Sequence, residues 1–129
     1  MPNLNRIQII GRLGADPAEK ETSKGRKYTV FTVAVDRFWK DGEGQSQKRT
    51  DWFNVEAWGR LGEICLKYLG KGRLVYLEGR LQTDRYEKDG DVKYFTKVVA
   101  RRMQMLDFQS QDKKEPDISE IEEDVSEEE

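Results

Sequence analysis

One short stretch of sequence decides the fold prediction: residues 51–58 read DWFNVEAW. Side chains on a β-strand alternate between its two faces, and here Phe53, Val55 and Ala57 form one apolar face. The opposite face carries two tryptophans, an amide and a carboxylate: Trp52, Asn54, Glu56 and Trp58. The apolar face predicts a core strand, and large rings on a polar face predict a binding surface. The alternative is a strand buried on both sides by a subunit contact.

The segments around this strand predict a barrel of strands with one helix. Period-two alternation predicts four further strands, over residues 4–13, 27–37, 73–81 and 94–106. Residues 40–50 contain no aliphatic side chain and are expected to form a flexible hairpin loop. Residues 60–69 have the apolar spacing of an amphipathic helix, and Asp89-Gly90 predicts the turn of an extended hairpin. Three strands, a helix and two strands is the element order of the OB-fold, a five-stranded Greek-key β-barrel, so we expect an all-β protein with one short helix.

The charge of the chain is divided between two regions. The 129 residues include 23 Lys and Arg against 25 Asp and Glu, a net charge of −2. Residues 107–129 carry 11 acidic and 2 basic groups, net −9, which leaves 21 basic and 14 acidic groups, net +7, for residues 1–106. We therefore expect an OB-fold domain over 1–106 and an acidic, disordered tail over 107–129. A helix-start signature at Asp117 and Glu120 leaves a partner-induced helix open for the tail.

The composition excludes several classes of function. The chain has no His and a single Cys, Cys65, which removes Ser-His and Cys-His nucleophile pairs, the usual zinc sites and an internal disulfide. Phosphate-binding and dinucleotide-binding glycine motifs do not occur. Asp51 and Glu56 point to opposite strand faces, which argues against a metal-dependent nuclease. No apolar stretch reaches membrane-spanning length and no segment resembles a secretion signal, so we expect a soluble, cytoplasmic, non-enzymatic protein without metal or cofactor.

Aromatic and basic side chains recur together where strands are expected to leave the barrel. Phe38 and Trp39 end the second strand, and Tyr86 lies in the last hairpin. The cations beside these rings in sequence are Arg37, Lys40, Arg85 and Lys88, and Lys48 and Arg49 lie at the far end of the 40–50 loop. Nucleic-acid bases stack on aromatic rings for about 1–3 kcal/mol each, while Lys and Arg follow the phosphates. Together with Trp52 and Trp58, these residues predict a surface that binds an unpaired nucleic-acid strand with little sequence preference.

Several motifs resemble the bacterial single-stranded DNA-binding protein family. They are Asn5 to Gly14 with Asp16-Pro17, Thr32 to Val35 leading to Trp39, Thr50 to Leu61, Tyr68 to Gly72, and Val75 to Leu81. The resemblance covers about residues 3–106 in the family's order. It implies a homotetramer of OB-folds that coats single-stranded DNA during replication, recombination and repair, and hence a nucleoid-associated location.

The resemblance also implies roles for individual residues. The family's stacking aromatics fall on Trp39, Trp52, Trp58 and Tyr86, and its phosphate-contacting cations fall on Arg6, Arg60, Lys71 and Arg85. The C-terminus departs from the family pattern, because the Gly-, Gln- and Pro-rich linker is nearly absent and the sequence ends in three glutamates instead of a Pro-Phe tip. The acidic tail through which replication and repair proteins would dock is retained without that apolar tip. A truncated, phage-like or specialised member of the family therefore stays open.

Two other interpretations of the barrel surface stay open. An accessory adaptor, such as a primosomal OB protein, would use the sheet for protein contacts and bind DNA weakly. RNA is an alternative ligand, because stacking platforms do not by themselves inspect the 2′-OH. The tail adds one more expectation, since a −9 segment tethered to a +7 domain should compete weakly with DNA for the basic surface.

Overall fold

Residues 2–107 are the part of the chain that the computed structural model describes. The elements follow the order β1 (Ile7–Leu13), β2 (Ala18–Glu21), β3 (Lys27–Lys40), β4 (Ser46–Trp58), α1 (Gly59–Tyr68), β5 (Leu74–Lys88) and β6 (Asp91–Met105). The strand order in the sheet is β1-β5-β6-β4-β3-β2, and β1 also pairs with β3. This extra pairing closes β1, β3, β4, β5 and β6 into a five-stranded barrel, which confirms the OB-fold prediction.

Two short joints close the barrel. The last two residues of β1 pair with β3. β4 and β6 run parallel and pair at Val55–Val98 and Glu56–Val99. The preceding residues of β6 stay paired with β5, so β4 and β6 separate towards their beginnings. This separation leaves a groove beside β4 that becomes important below.

The barrel interior is filled from every barrel strand and from α1. The buried residues are Ile9, Leu13, Phe31, Val33, Val55, Ala57, Leu61, Cys65, Leu69, Val75, Leu77, Val98, Ala100, Met103 and Met105. The predicted core face of residues 51–58 is confirmed, because Val55 and Ala57 are buried and Phe53 packs against them half-buried. Burial raises the pKa of the Cys65 thiol to about 12, as expected of a core side chain rather than a nucleophile.

One expectation about local structure is wrong, and one strand lies outside the sequence prediction. Residues 40–50 are not a flexible loop but extend β3 and β4 into a paired arm, with residues 41–45 left to turn the chain. Backbone N–H groups of Glu43 and Gln45 each donate to one Asp41 carboxylate oxygen at 2.9 Å, so a polar side chain shapes the turn where no apolar one is present. β2 is absent from the sequence prediction because its four residues are all exposed and therefore show no alternation of apolar and polar side chains. Backbone pairing with the start of β3 forms it.

The β5–β6 hairpin confirms the Asp89-Gly90 turn. The two strands stay paired as far as Lys88 and Asp91. Asp89 and Gly90 have φ values of 55° and 83°, the left-handed conformation that a two-residue hairpin of this type needs at both positions. The strands therefore form a second long arm, with a register that decides which side chains share a side.

Asp107, the first residue of the predicted tail, contacts the barrel. One carboxylate oxygen lies 2.6 Å from Nε of the buried Arg73, and the other lies 3.4 Å from Nη1 of Arg12. The same oxygen accepts a hydrogen bond from the backbone N–H of Leu74 at 3.2 Å. Residues 108–129 lie outside the described residues, so the disordered tail, its helix signature at Asp117 and the domain boundary stay predictions. Within residues 2–107, no helix has the length and apolarity to cross a membrane.

Candidate nucleic-acid interface

The side chains that alternate with the core face lie on the outside of the barrel. The cross-strand pairs there are Tyr28–Trp58, Val30–Glu56, Thr32–Asn54 and Ala34–Trp52, and these eight residues are called the β3–β4 outer face below. Its centre carries no aromatic side chain, while each end carries a tryptophan. The two tryptophans differ in their surroundings, although the sequence places them in equivalent positions.

Trp52 has the open ring of this face. Its side chain is 59% exposed, so its predicted position on an exposed polar surface is confirmed. Gly14, just after β1, lies under the ring, and a methyl group there would come within 2.5 Å of ring atom Cζ3. The ring therefore packs directly against the backbone of Gly14, in space that the side chain of any other residue would occupy. This support fixes Trp52 while leaving it accessible.

Trp58 is buried, and the prediction that it stands in solvent is wrong for both Trp58 and Glu56, each 5% exposed. The Trp58 ring stacks on Tyr28 with centroids 4.4 Å apart. The guanidinium carbon of Arg26 lies 4.7 Å from the ring centroid, within cation–π range. Nε1–H of Trp58 donates to Glu56 at 2.5 Å. Side chains of the same chain thus bury this ring, without the subunit contact that the alternative interpretation of the strand required.

Lys97 joins three strands behind Trp58. Its ammonium nitrogen lies 2.7 Å from Oε1 of Glu56 on β4 and 3.2 Å from Oδ2 of Asp84 on β5. Burial by itself lowers the pKa of Lys97, but the hydrogen bonds and charges of Glu56 and Asp84 outweigh this effect and raise it. A hydrogen bond from Gln82, followed by the contact with Lys97, lowers the pKa of Asp84. Lys97 is therefore protonated at neutral pH and holds Glu56 in place to accept the indole N–H.

The predicted aromatics of the β3–β4 arm divide between its two sides. Phe38 pairs with Lys48 and shares the side of the β3–β4 outer face, whereas Trp39 lies on the opposite side with Arg37 and Arg49. Both rings are exposed. The Arg37 guanidinium carbon is 5.7 Å from the Trp39 ring centroid. The arm therefore offers a ring and cations on each side instead of one continuous track.

The β5–β6 arm brings Tyr86 together with a residue that sequence reasoning missed. Tyr86 pairs with Lys93, and Phe95 follows two residues later on the same side. Arg85, expected beside Tyr86, points to the other side, where it pairs with Tyr94. The signal that could have identified Phe95 is the Asp89-Gly90 turn, because counting outward from it gives this register.

The predicted phosphate-contacting cations are spread over the surface. Five form no ion pair with any residue in the range 2–107: Lys40, Arg49, Arg60, Lys71 and Lys88. Three form exposed pairs, namely Arg37 with Asp51, Lys48 with Asp36 and Arg85 with Glu87. Arg6 lies apart, just before β1, where its hydrogen bond lowers the pKa of Glu78. Exposed pairs are worth roughly 0–1 kcal/mol, so they impose little cost on a cation that turns to a phosphate.

A groove connects the β3–β4 outer face with β6. It has a volume of about 270 Å³, with Val30, Thr32 and Asn54 on one side and Phe95 and Lys97 on the other. Across residues 2–107 the structure contains no group of His, Cys, Asp and Glu side chains suited to holding a metal ion. The chemistry that this surface offers is ring stacking, hydrogen bonding and attraction of anions.

A closed five-stranded barrel with an exposed ring on its sheet face, and with further exposed rings and cations on its arms, is typical of OB-fold proteins of the nucleic-acid-binding class. The model of the single-strand binding protein family matches residues 4–106. The chain belongs to that family. Because the family consists of non-enzymatic DNA-binding proteins, the prediction that this chain is not an enzyme is confirmed.

Individual relatives agree with the family assignment. Single-stranded DNA-binding protein 1 of Chlorobaculum tepidum is 49% identical over 105 residues, which are 80% of this chain and 65% of that protein. The single-stranded DNA-binding protein of Xanthomonas campestris is 45% identical over 80% of this chain and 60% of its own length. A Plasmodium falciparum protein solved in complex with single-stranded DNA superposes with a TM-score of 0.77 at 30% identity, covering 83% of this chain and 98% of that one. The chain thus spans somewhat under two thirds of these two curated relatives.

Proposed function

We propose that this protein binds single-stranded DNA with little sequence preference, by stacking bases on aromatic rings and neutralising phosphates with Lys and Arg. The observation that carries the proposal is Trp52. Its ring is exposed, packs against the backbone at Gly14, and lies at one end of the β3–β4 outer face. Phe38 continues the same side, and Tyr86 and Trp39 add exposed rings on the arms. Every base has a π-face, so such a surface accepts any sequence.

Fluorescence titration with oligo-dT tests this proposal. Binding should quench the exposed Trp39 and Trp52 and leave the buried Trp58 bright, so the variant Trp39→Phe/Trp52→Phe should lose most of the quenching. Affinity should fall as salt rises, because bound phosphates release counterions. A duplex of equal length is the control ligand. Absence of quenching by single strands at low salt, or equal quenching by the duplex, contradicts the proposal.

The choice of DNA over RNA is part of the same proposal. Stacking surfaces accept both, so an equal-length RNA strand must be compared directly. We expect unlabelled oligo-dT to displace labelled oligo-dT more effectively than an oligo-U strand of equal length does. Preference for the RNA strand would assign the barrel to another ligand.

The proposed assembly is a homotetramer. Ile10 on the outer side of β1 is 56% exposed, although it lies mid-strand. Among the described residues, the edge of β1 that faces away from β5 pairs with β3 only at Arg12 and Leu13. An apolar side chain and an unpaired edge on one strand are suited to contact with a second copy. Light scattering should give the mass of four chains, and Ile10→Lys should reduce it; a monomeric wild type at micromolar concentration contradicts this assembly.

The proposed setting is DNA replication, recombination and repair in the bacterial cytoplasm, close to the nucleoid. Acidic residues dominate positions 107–129, and we propose that replication or repair proteins dock there. Pull-down with the full chain and with a chain lacking 108–129 tests this docking. Partners retained by both chains would assign the contact to the barrel, as the adaptor interpretation requires.

A further inference from the structure

The groove between the β3–β4 outer face and β6 has no role in the function proposed above. It forms where β6 separates from β4, just before the pair Val55–Val98. Its volume of about 270 Å³ far exceeds the roughly 30 Å³ that a water molecule occupies in the liquid. It lies slightly below the roughly 300–1,000 Å³ of pockets that take drug-sized ligands. A groove of this size suits one flat heterocycle and not a base pair.

The chemistry of the walls is that of a base-binding site. Phe95 borders the groove and is still 44% exposed, so part of its ring is available to a ligand. Val30 and Thr32 supply apolar surface opposite. Asn54 carries an amide with donors and an acceptor, and this side chain forms no hydrogen bond with residues 2–107. A flat ring, apolar surface and one free amide match the faces and edges of a nucleobase.

The charges around the groove favour a strand whose phosphates stay outside. Lys20 borders the groove, and Lys93, two residues before Phe95, lies on the same side of the arm. The two nearby carboxylates, Glu56 and Asp84, both form ion pairs with Lys97, so neither presents an unpaired negative charge to the ligand. The groove also adjoins Trp52 through Asn54, two residues along β4 on the same face. A strand that stacks on Trp52 would therefore have the opening of the groove within reach.

We propose that this groove is a subsite for one base of the bound single strand, which turns inward, stacks on Phe95 and receives a hydrogen bond from Asn54. The inference rests on the proposed function, since it concerns the same strand. It assigns a stacking role to Phe95, which is not among the aromatic residues that the sequence predicts to stack.

Tyr94 provides a matched control for Phe95. It is the adjacent aromatic residue, is 66% exposed, and points to the opposite side of the same arm. Full-length wild type, Phe95→Ala, Phe95→Tyr and Tyr94→Ala should be titrated with fluorescently labelled oligo-dT at one salt concentration. We expect Phe95→Ala to weaken binding by about 5- to 150-fold, the range for loss of one stacked base. Tyr94→Ala and Phe95→Tyr should each stay within about two-fold.

A labelled strand of abasic sites separates stacking from effects on the fold. Wild type and Phe95→Ala should bind this strand equally, because no base is present to enter the groove. A difference that persists on the abasic strand, or equal losses in Phe95→Ala and Tyr94→Ala on dT, overturns the subsite while leaving the proposed function intact. Failure of wild type to bind dT overturns the proposed function itself. Circular dichroism of each variant shows whether the fold is retained.

Discussion

The buried pair Glu56–Lys97 makes a sharp prediction about stability. In Glu56→Ala, Nε1–H of Trp58 loses its acceptor at 2.5 Å and Lys97 loses its partner at 2.7 Å. An unsatisfied buried donor costs about 1–3 kcal/mol, and breaking a buried ion pair from one side costs about 3–5 kcal/mol. Lys97 keeps Asp84 at 3.2 Å, which limits the second cost. We therefore expect Glu56→Ala to lower the free energy of unfolding by about 3–5 kcal/mol.

Two further variants separate the charge from the hydrogen bond. Glu56→Gln retains one oxygen to accept the indole N–H, but it loses the negative charge and places an NH2 group where the second oxygen contacts Lys97, so it should cost about 1.5–3 kcal/mol. The double variant Glu56→Gln/Lys97→Met removes the unpaired charge as well. It should recover to within about 1 kcal/mol of wild type, because replacing both partners of a buried pair is often near neutral.

Urea unfolding followed by tryptophan fluorescence measures these free energies. Protein concentration must be equal for all variants, since self-association stabilises the folded state by mass action. Glu63→Gln, on the exposed side of α1, is the control and should change stability by less than about 0.5 kcal/mol. If Glu56→Ala matches this control, or the double variant is as unstable as Glu56→Gln, then the network does not hold Trp58 in the way described.

Four other outcomes test the structure. Trp52→Ala should reduce oligo-dT affinity by about 1–3 kcal/mol in an anisotropy titration, whereas Trp58→Ala should chiefly reduce stability; equal affinity losses with unchanged stability would contradict the burial of Trp58. The Cys65 thiol, with its pKa raised to about 12, should resist alkylation at pH 8 until urea unfolds the chain, and rapid native labelling would show that the core is open there. The pKa of Glu78 is lowered from 4.5, so its contribution to stability is present above pH 4.5 and is lost as pH falls through the folded value. Thermal melts of Glu78→Gln should therefore depend less on pH below 4.5, and an unchanged dependence counts against the Arg6 contact. Removing residues 108–129 should raise DNA affinity at low salt while Asp107 stays paired, and equal affinity at every salt concentration would exclude competition by the tail.

The sequence predicted the barrel because its core follows simple periodicities. Val55 and Ala57 alternate with polar neighbours, and residues 60–69 change to helical spacing, so local pattern and final burial agree. β2 and the arm at residues 40–50 escape this reasoning. Backbone pairing and the Asp41 turn form them, and neither requires an apolar side chain.

For the candidate site, the sequence predicts on which face of a strand a side chain lies, but not whether other segments cover that side chain. Alternation correctly places Trp52 and Trp58 on one face, but it cannot show that Tyr28, Arg26 and the Glu56–Lys97 pair cover only one of them. Apart from Glu56, those covering groups come from distant segments, and their contacts depend on the register between strands. The same applies to Phe95, which reaches the groove through pairing with β5 rather than through any local motif.

The joint between Val55 and Val98 has a consequence for the order in which the chain folds. The two residues are 43 positions apart, and they form one of the two joints that close the barrel. As the polypeptide leaves the ribosome, β1 to α1 emerge with the edge of β4 still uncovered, and an uncovered edge is a template for association with other chains. Closure waits for the final strand and carries the loop entropy of the intervening segment. Synthesis through β6 is therefore the step at which a nascent, aggregation-prone sheet becomes a sealed domain.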